Sequence, residues 1–214
     1  MISIIIPACN EERYLRETIQ SIKSQSFKDY EIIVVCDGCT DKTLEIAKDH
    51  ADKFILLKDR KGPAIAKNEG AELAKHNKLI FLDADTKLTE NVLSDISEAL
   101  DKKLFGTCKI KPSDNKIKHK VMMFIKNLYP FPFTNGIVFC TKETFTKGGG
   151  FPIVKKGEEG SMVRKLNKEN EFTLLKTPVI SSTRRFDKKG YLKVMLYWIK
   201  EYIKPSDEDY EIIR

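Results

Sequence analysis

The sequence predicts an α/β fold: a Rossmann-like, mostly parallel sheet flanked by helices, followed by a smaller and less regular half. Three observations carry this. Short apolar runs at 2–6, 31–36, 53–57 and 78–82 alternate with helical patterns over the first 85 residues. Such alternation implies a largely parallel sheet with helices on both faces. The runs also end in polar residues, at Asn10-Glu11, at Asp37, and at Asp83 with Asp85, and open parallel sheets bind ligands at the carboxyl ends of their strands.

Ile2-Ser3-Ile4-Ile5-Ile6 is β-branched and nearly all apolar, with Pro7 expected to stop it. Asn10 is then a candidate cap for a helix over Glu11 to Gln25, whose Leu15, Ile19 and Ile22 share one face. Glu31 to Cys36 reads as a second buried strand. Thr40 or Asp41 would cap a helix running to about His50, and Lys53 to Leu57 forms a third strand. Pro63 to Lys75 reads as a helix with proline near its start. The fourth strand, Lys78 to Leu82, leads directly into Asp83-Ala84-Asp85.

Beyond that point the pattern loosens. A helix is expected at about Glu90 to Asp101, a strand at Leu104 to Lys111 and a helix at Lys118 to Tyr129 running into Pro130-Phe131-Pro132-Phe133. Gly136 to Cys140 is a strand, Lys142 to Lys147 a helical turn, and Gly148-Gly149-Gly150-Phe151-Pro152 a loop. A short helix over Ser161 to Asn167 follows Gly157-Glu158-Glu159-Gly160. Phe172 to Leu175 and Val179 to Ser182 read as two strands, and Gly190 to Ile203 as a final helix.

Asp83 and Asp85 are two apart, so in an extended chain their carboxylates point the same way. They repel unless a cation lies by them, and a divalent ion with oxygen ligands, Mg²⁺ or Mn²⁺, would bridge them to phosphate oxygens. A solvated turn is the bland alternative. Their place at the end of the fourth strand, in register with other polar strand ends, favours function.

At 214 residues the chain is long enough for one substantial core. Residues 1–100 hold 14 Lys and Arg against 18 Asp and Glu, whereas residues 101–214 hold 24 against 13. The basic half suits a polyanionic partner: a phosphorylated substrate, an anionic membrane or nucleic acid. No clustered basic–aromatic platform or recognition helix supports nucleic acid. The first strand starts at Ile2 and no apolar run reaches membrane-spanning length, so a cytoplasmic protein is expected, with the inner membrane face as a second placement. Five cysteines, an odd number, argue against a disulfide framework. Cys36-x-x-Cys39 with Cys9 leaves a thiol redox or zinc site as a minor reading. The chain has neither a G-x-G-x-x-G after the first strand nor a P-loop.

Several motifs together resemble family 2 glycosyltransferases of the GT-A fold. They are Ser3-Ile4-Ile5-Ile6-Pro7-Ala8-Cys9-Asn10-Glu11-Glu12, Tyr30 to Asp41, Lys67-Asn68-Glu69-Gly70, Leu82-Asp83-Ala84-Asp85, and more loosely Gly148 to Phe151, Gly157-Glu158-Glu159 and Ser182-Thr183-Arg184-Arg185-Phe186. The resemblance is nearest to small bacterial and archaeal members. It implies one GT-A domain, with 1–100 as the nucleotide-sugar half, 101–189 as the acceptor side and 190–214 as a C-terminal helix and tail.

It also implies roles. The donor would be a nucleotide sugar. Pro7, Asn10 and Glu11 would line the nucleoside pocket, Asp37 would accept from the base ring, and Lys67 would sit near the base or phosphates. Asp83 would face the ribose and the metal, and Asp85 would bind the metal. Arg184 and Arg185 would clamp the diphosphate, as guanidinium forks suit phosphate. Glu159 would be the base, with Glu158 orienting it or binding acceptor. Cys36 takes the first place of the Asp-Asp or Asp-Asn pair with which the family's second strand usually ends. Glu159 stands where the family usually has Asp, which opens a second reading, a catalytically silent nucleotide-sugar-binding protein. The reaction implied is a single displacement with inversion, assisted by Mn²⁺ or Mg²⁺. The acceptor could be a lipid phosphate or a glycan.

Residues 190–203 are apolar over most of their circumference and ringed by lysines and arginines, and Val121 to Ile125 forms a second apolar stretch. Core packing, a homodimer contact and a peripheral membrane contact compete for them.

Overall fold

The structure is a computed structural model that describes residues 1–102, 105–128, 134–153, 158–166, 172–190 and 193–194. Its first half follows the predicted alternation: β1 (Ile2–Ala8), α1 (Leu15–Lys23), β2 (Tyr30–Asp37), α2 (Thr43–His50), β3 (Lys53–Leu57), α3 (Pro63–Leu73) and β4 (Lys78–Leu82). These four strands are mutually parallel in the order β3-β2-β1-β4. Buried runs give buried strands: every residue of β1 except Pro7 is buried.

The second half comprises β5 (Thr86–Leu88), α4 (Val92–Asp101), β6 (Phe105–Pro112), α5 (Ile117–Leu128), β7 (Ile137–Thr141), α6 (Lys142–Lys147), α7 (Glu158–Leu166), β8 (Phe172–Ser181) and α8 (Arg184–Lys189). It completes one eight-stranded sheet, β3-β2-β1-β4-β7-β6-β8-β5. Here β7 runs antiparallel to both β4 and β6, and β5 antiparallel to β8, while β6 and β8 are parallel.

Strand alternation sorts the core onto two faces. Ile2, Ile4 and Ile6 join Leu15, Ile19, Val92 and Ile96 beneath α1, α2 and α4. Ile5, Ile33 and Val35 join Ala64, Ala66, Phe151 and Val163 beneath α3 and α7. A small third cluster unites Ile110, Met123, Phe186 and Val194.

Several boundaries differ from the sequence reading, each for a local reason. Strand β1 runs on through Pro7 to Ala8, because its pairing with β4 ends at Ile5 and that flank has no ladder to complete. Helix α1 starts at Leu15, not Glu11, and Asn10 is not its cap. The Glu11 and Glu12 amides donate instead to the Thr43 hydroxyl and the Asp41 carboxylate. Asp41 also accepts the Thr43 N–H at the start of α2. The two strands read over 172–182 are one strand, β8, and the break between them is an irregularity opposite Cys108 and Lys109. Helix α4 starts at Val92 and α7 at Glu158, against predicted starts at Glu90 and Ser161. Three-residue β5 is too short to show in the pattern. The aromatic segment 129–133 and most of the predicted helix over 190–203 lie outside the described residues.

Candidate functional site

The loops after β1 and β2 are laced together at the carboxyl edge. Asn10 takes a left-handed conformation (φ 55°). Its side chain donates to Thr40 Oγ1 at 2.9 Å and accepts the Thr40 N–H at 2.7 Å. Asp37 is buried, and its two oxygens accept the amides of Lys61 and Gly62 at 2.6 and 2.9 Å. In this arrangement Asp37 spends its carboxylate on holding the loop before α3. Pro7 lies half-buried at the end of β1.

A second cluster forms where β4, α3 and α7 meet. Lys67, only 2% exposed, reaches across from α3 to Glu158 Oε1 at 3.2 Å and to Glu159. Glu159 also accepts from the Thr134 hydroxyl, and Lys67 lies 5.0 Å over the Phe151 ring. Burial works against the Lys67 charge, but Glu159, Glu158 and Asp83 outweigh it and hold its pKa above the usual lysine range. Burial would likewise raise Glu159, yet the charge and hydrogen bond of Lys67, with Thr134, hold it below its ordinary value. Asp83 lies beside these carboxylates and has no hydrogen-bonded cation of its own among the described residues. Burial first, then the charge of Glu159, pushes it up to about 7 despite Lys67.

The motif around Lys67 is explained by packing. Asn68 bonds both ways to the Phe151 backbone, donating to its carbonyl and accepting its N–H at 2.9 Å each, so it ties α3 to the glycine-rich loop. Gly70 passes so close to β1 that a Cβ there would overlap the Ile5 side chain. Gly136 (φ 77°) lets the chain turn past Thr86 and accept the Asp83 amide at 2.9 Å.

Arg184 opens α8 and reaches back to the first loop. Its guanidinium donates to both oxygens of Glu11 at 2.9 and 2.7 Å, lies 3.0 Å from Asp85 Oδ2 and stacks 4.8 Å over Tyr14. Burial opposes its charge, but the bond to Glu11 and the charge of Asp85 keep it fully cationic. Arg185 is also in α8, and its side chain lies outside the described residues. The structure thus gathers Glu11, Asp85 and Arg184 in one group and Lys67, Asp83, Glu158 and Glu159 in an adjoining one.

Asp83 and Asp85 fit a hard divalent cation. Both lie at a strand end and are only partly buried, and Asp83 is raised by burial first and then by the charge of Glu159, which Lys67 does not fully offset. Two carboxylates suffice when substrate phosphates and water complete the shell, as Mg²⁺ sites commonly do.

Among the described residues, the group of three His, Cys, Asp or Glu ligand atoms lying within 4.8 Å of one another is Asp114, His119 and Asp187. The sequence offered no sign of it, because the three lie on separate elements and His119 looked inert. His119 is buried, with Nδ1 2.6 Å from Asp114 and Nε2 3.6 Å from Asp187. The Lys116 ammonium stands 3.1 Å from Asp187 and 3.6 Å from Asp114, so a protein cation already pairs with both carboxylates. The cluster fastens α5 to α8. Cys9, Cys36 and Cys39 are not in disulfides, and among the described residues they form no such group. Cys39 donates to the Ala8 carbonyl at 3.3 Å.

The model of the family described as "Glycosyl transferase family 2" matches residues 3–159. An uncharacterized glycosyltransferase of Haemophilus influenzae is 39% identical over 98 residues, 44% of this chain and 39% of that one. A GalNAc(5)-diNAcBac-PP-undecaprenol beta-1,3-glucosyltransferase of Campylobacter jejuni is 32% identical over 126 residues, 55% of this chain and 41% of that one. The chain therefore spans about two fifths of the length of these relatives. Among solved structures, the mannosyltransferase PcManGT from Pyrobaculum calidifontis, in complex with GDP-Man and Mn²⁺, superposes with a TM-score of 0.76 at 18% identity, covering 95% of this chain and 62% of that one.

Proposed function

The chain belongs to glycosyl transferase family 2, and from that premise we propose that it is an inverting transferase that moves a sugar from a nucleotide-diphosphate sugar to an acceptor. The observation that carries this is the adjacency of two charge groups at one sheet edge. One is suited to a diphosphate, the other to removing a proton. Asp85 with Asp83 would hold Mn²⁺ or Mg²⁺, and such an ion supplies positive charge to the departing diphosphate.

The protein's own groups have separable tasks in this reading. Arg184 exchanges its carboxylate partners for diphosphate oxygens, to which its fork is matched. Pro7, Asn10 and Glu11 border the nucleoside. Glu159 is ionised at neutral pH and keeps lone pairs beyond those that Lys67 and Thr134 occupy, so it can take the acceptor hydroxyl proton as that oxygen attacks the anomeric carbon. Attack opposite the leaving diphosphate inverts the anomeric configuration. Lys67 and Thr134 position the base, and Glu158 orients it or meets the acceptor. The Mn²⁺ bound with GDP-Man in PcManGT supports the metal. The PP-undecaprenol-linked acceptor named for the Campylobacter relative supports a lipid-phosphate-linked glycan.

The test is a thermal-shift screen of nucleotide sugars with and without Mn²⁺, followed by donor turnover. The expected result is a shift with one nucleotide class that needs Mn²⁺ and Asp85. A Mn²⁺-dependent shift without any turnover, with acceptors supplied, would favour the nucleotide-sugar-binding reading instead.

A further inference from the structure

Helix α5 is built the wrong way round for water. Its inward face carries His119 and Met123, both buried, and Asn127 clamps the Ile110 backbone in both directions at 2.9 Å. Its outward face should be polar in a solvated helix. Instead Ile117 (79% exposed), Val121, Phe124 (62%), Ile125 and Leu128 (64%) all point to solvent.

At helical spacing these five positions form one stripe roughly 100° wide. Lys118 and Lys120, both exposed, fall on its two shoulders, one on each side, and α5 contains no acidic residue. In sequence the helix runs straight into Tyr129-Pro130-Phe131-Pro132-Phe133. A lysine on each flank of an apolar stripe is what an interfacial helix needs: the stripe enters the acyl boundary and the ammonium groups reach lipid phosphates.

We propose that the outward face of α5 docks on an anionic membrane surface. Charge selects this occupant over a second copy of the chain. Two such faces laid together would set Lys118 and Lys120 against their own kind with no acid on the helix to answer them. A 12-residue helix, about 18 Å long, also offers far less than the ~800 Å² per partner of a stable interface. Docking there would bring the site to lipid level, since Lys126 of α5 donates to the Thr134 carbonyl at 3.3 Å and the Thr134 hydroxyl holds Glu159.

The experiment is flotation of the full chain with phosphatidylglycerol–phosphatidylcholine vesicles and with phosphatidylcholine alone, with light scattering of the free chain. Expected is binding to the anionic vesicles at low salt that weakens as salt rises. Val121→Glu with Phe124→Glu should lower the partition at least about tenfold, and Lys118→Glu with Lys120→Glu about tenfold. Unchanged thermal unfolding and Mn²⁺-dependent nucleotide shift would show that the fold and the donor site are intact, so this outcome is separate from that of the transferase reading. Absence of flotation at low salt, or flotation indifferent to both variants, overturns the proposal. So does a dimer that the Val121→Glu, Phe124→Glu variant dissolves, which would assign the face to a second copy.

Discussion

Arg184 Nη2 lies 3.0 Å from Asp85 Oδ2, so a protein cation already stands beside the carboxylate proposed to hold the metal. The same guanidinium is held by both oxygens of Glu11. Without a donor, a divalent ion at Asp85 would be repelled by this neighbour. Arg184→Ala should therefore tighten Mn²⁺ binding to the nucleotide-free protein by roughly tenfold, about 1.4 kcal/mol. Titration calorimetry of Mn²⁺ measures it. Equal affinity in the two proteins would mean that Mn²⁺ does not bind beside Arg184.

Asp85 and Glu159 should fail differently. Asp85→Asn is expected to abolish transfer together with metal-dependent nucleotide binding. Glu159→Gln should lower transfer by about 10²–10⁴-fold and leave nucleotide binding in place. Full activity in the Glu159→Gln protein would move the base to Glu158.

The contacts that hold Glu159 should be visible in a pH profile. Thr134 and Lys67 both keep its pKa low. Thr134→Val removes one of these contacts, so the acid limb of kcat/KM should move to higher pH while the nucleotide shift is unchanged. Lys67→Met removes a buried cation bonded to both Glu158 and Glu159. Removing one partner of a largely buried ion pair costs up to about 3–5 kcal/mol, and the Thr134 hydroxyl and Lys126 charge that remain at Glu159 should keep the loss at or below the low end, which chemical denaturation would register.

Glu31 provides a pH test of stability remote from the site. Burial works to raise its pKa, but hydrogen bonds from Lys53, Ser3 and the Lys75 amide outweigh it and bring it down to about 2. A depressed carboxylate contributes stability above its unfolded pKa and loses it as pH falls through the folded value. Glu31→Gln should destabilise the protein by about 2–4 kcal/mol at pH 7. The gap between the two proteins should close between about pH 5 and pH 2.

Gly70→Ala should cost about 1–3 kcal/mol, because the added methyl drives α3 off Ile5. Asn68→Ala should release the Phe151 backbone and expose the glycine-rich loop to faster proteolysis. Wild-type unfolding in Gly70→Ala would mean that the helix shifts freely.

The parallel half of the sheet was legible because each of its strands is a short, mostly apolar run and the segments between them read as helices. The polar strand ends were legible for the same reason, as departures from a clean pattern. Helix α1 was read as starting four residues too early because the Glu11 and Glu12 amides bond to residues some thirty positions away, and local pattern does not register such partners. The zinc reading at Cys36-x-x-Cys39 fails for a related reason: spacing suggested ligands, but the three thiols do not converge with a further ligand among the described residues.

By itself the sequence determined the order of elements in the parallel half, their buried faces and the acids at the strand ends, since period and composition are local properties. Only the tertiary structure decided who shares charge with whom. It set Arg184 beside Glu11, 173 positions away, and Lys67 beside Glu159, 92 positions away. It also turned the apolar side of α5 outward, although its sequence is that of an ordinary amphipathic helix. Which face of a helix meets the core depends on what the neighbouring strand and helix offer it, here Ile110 and Phe186, and that is not written in the helix itself.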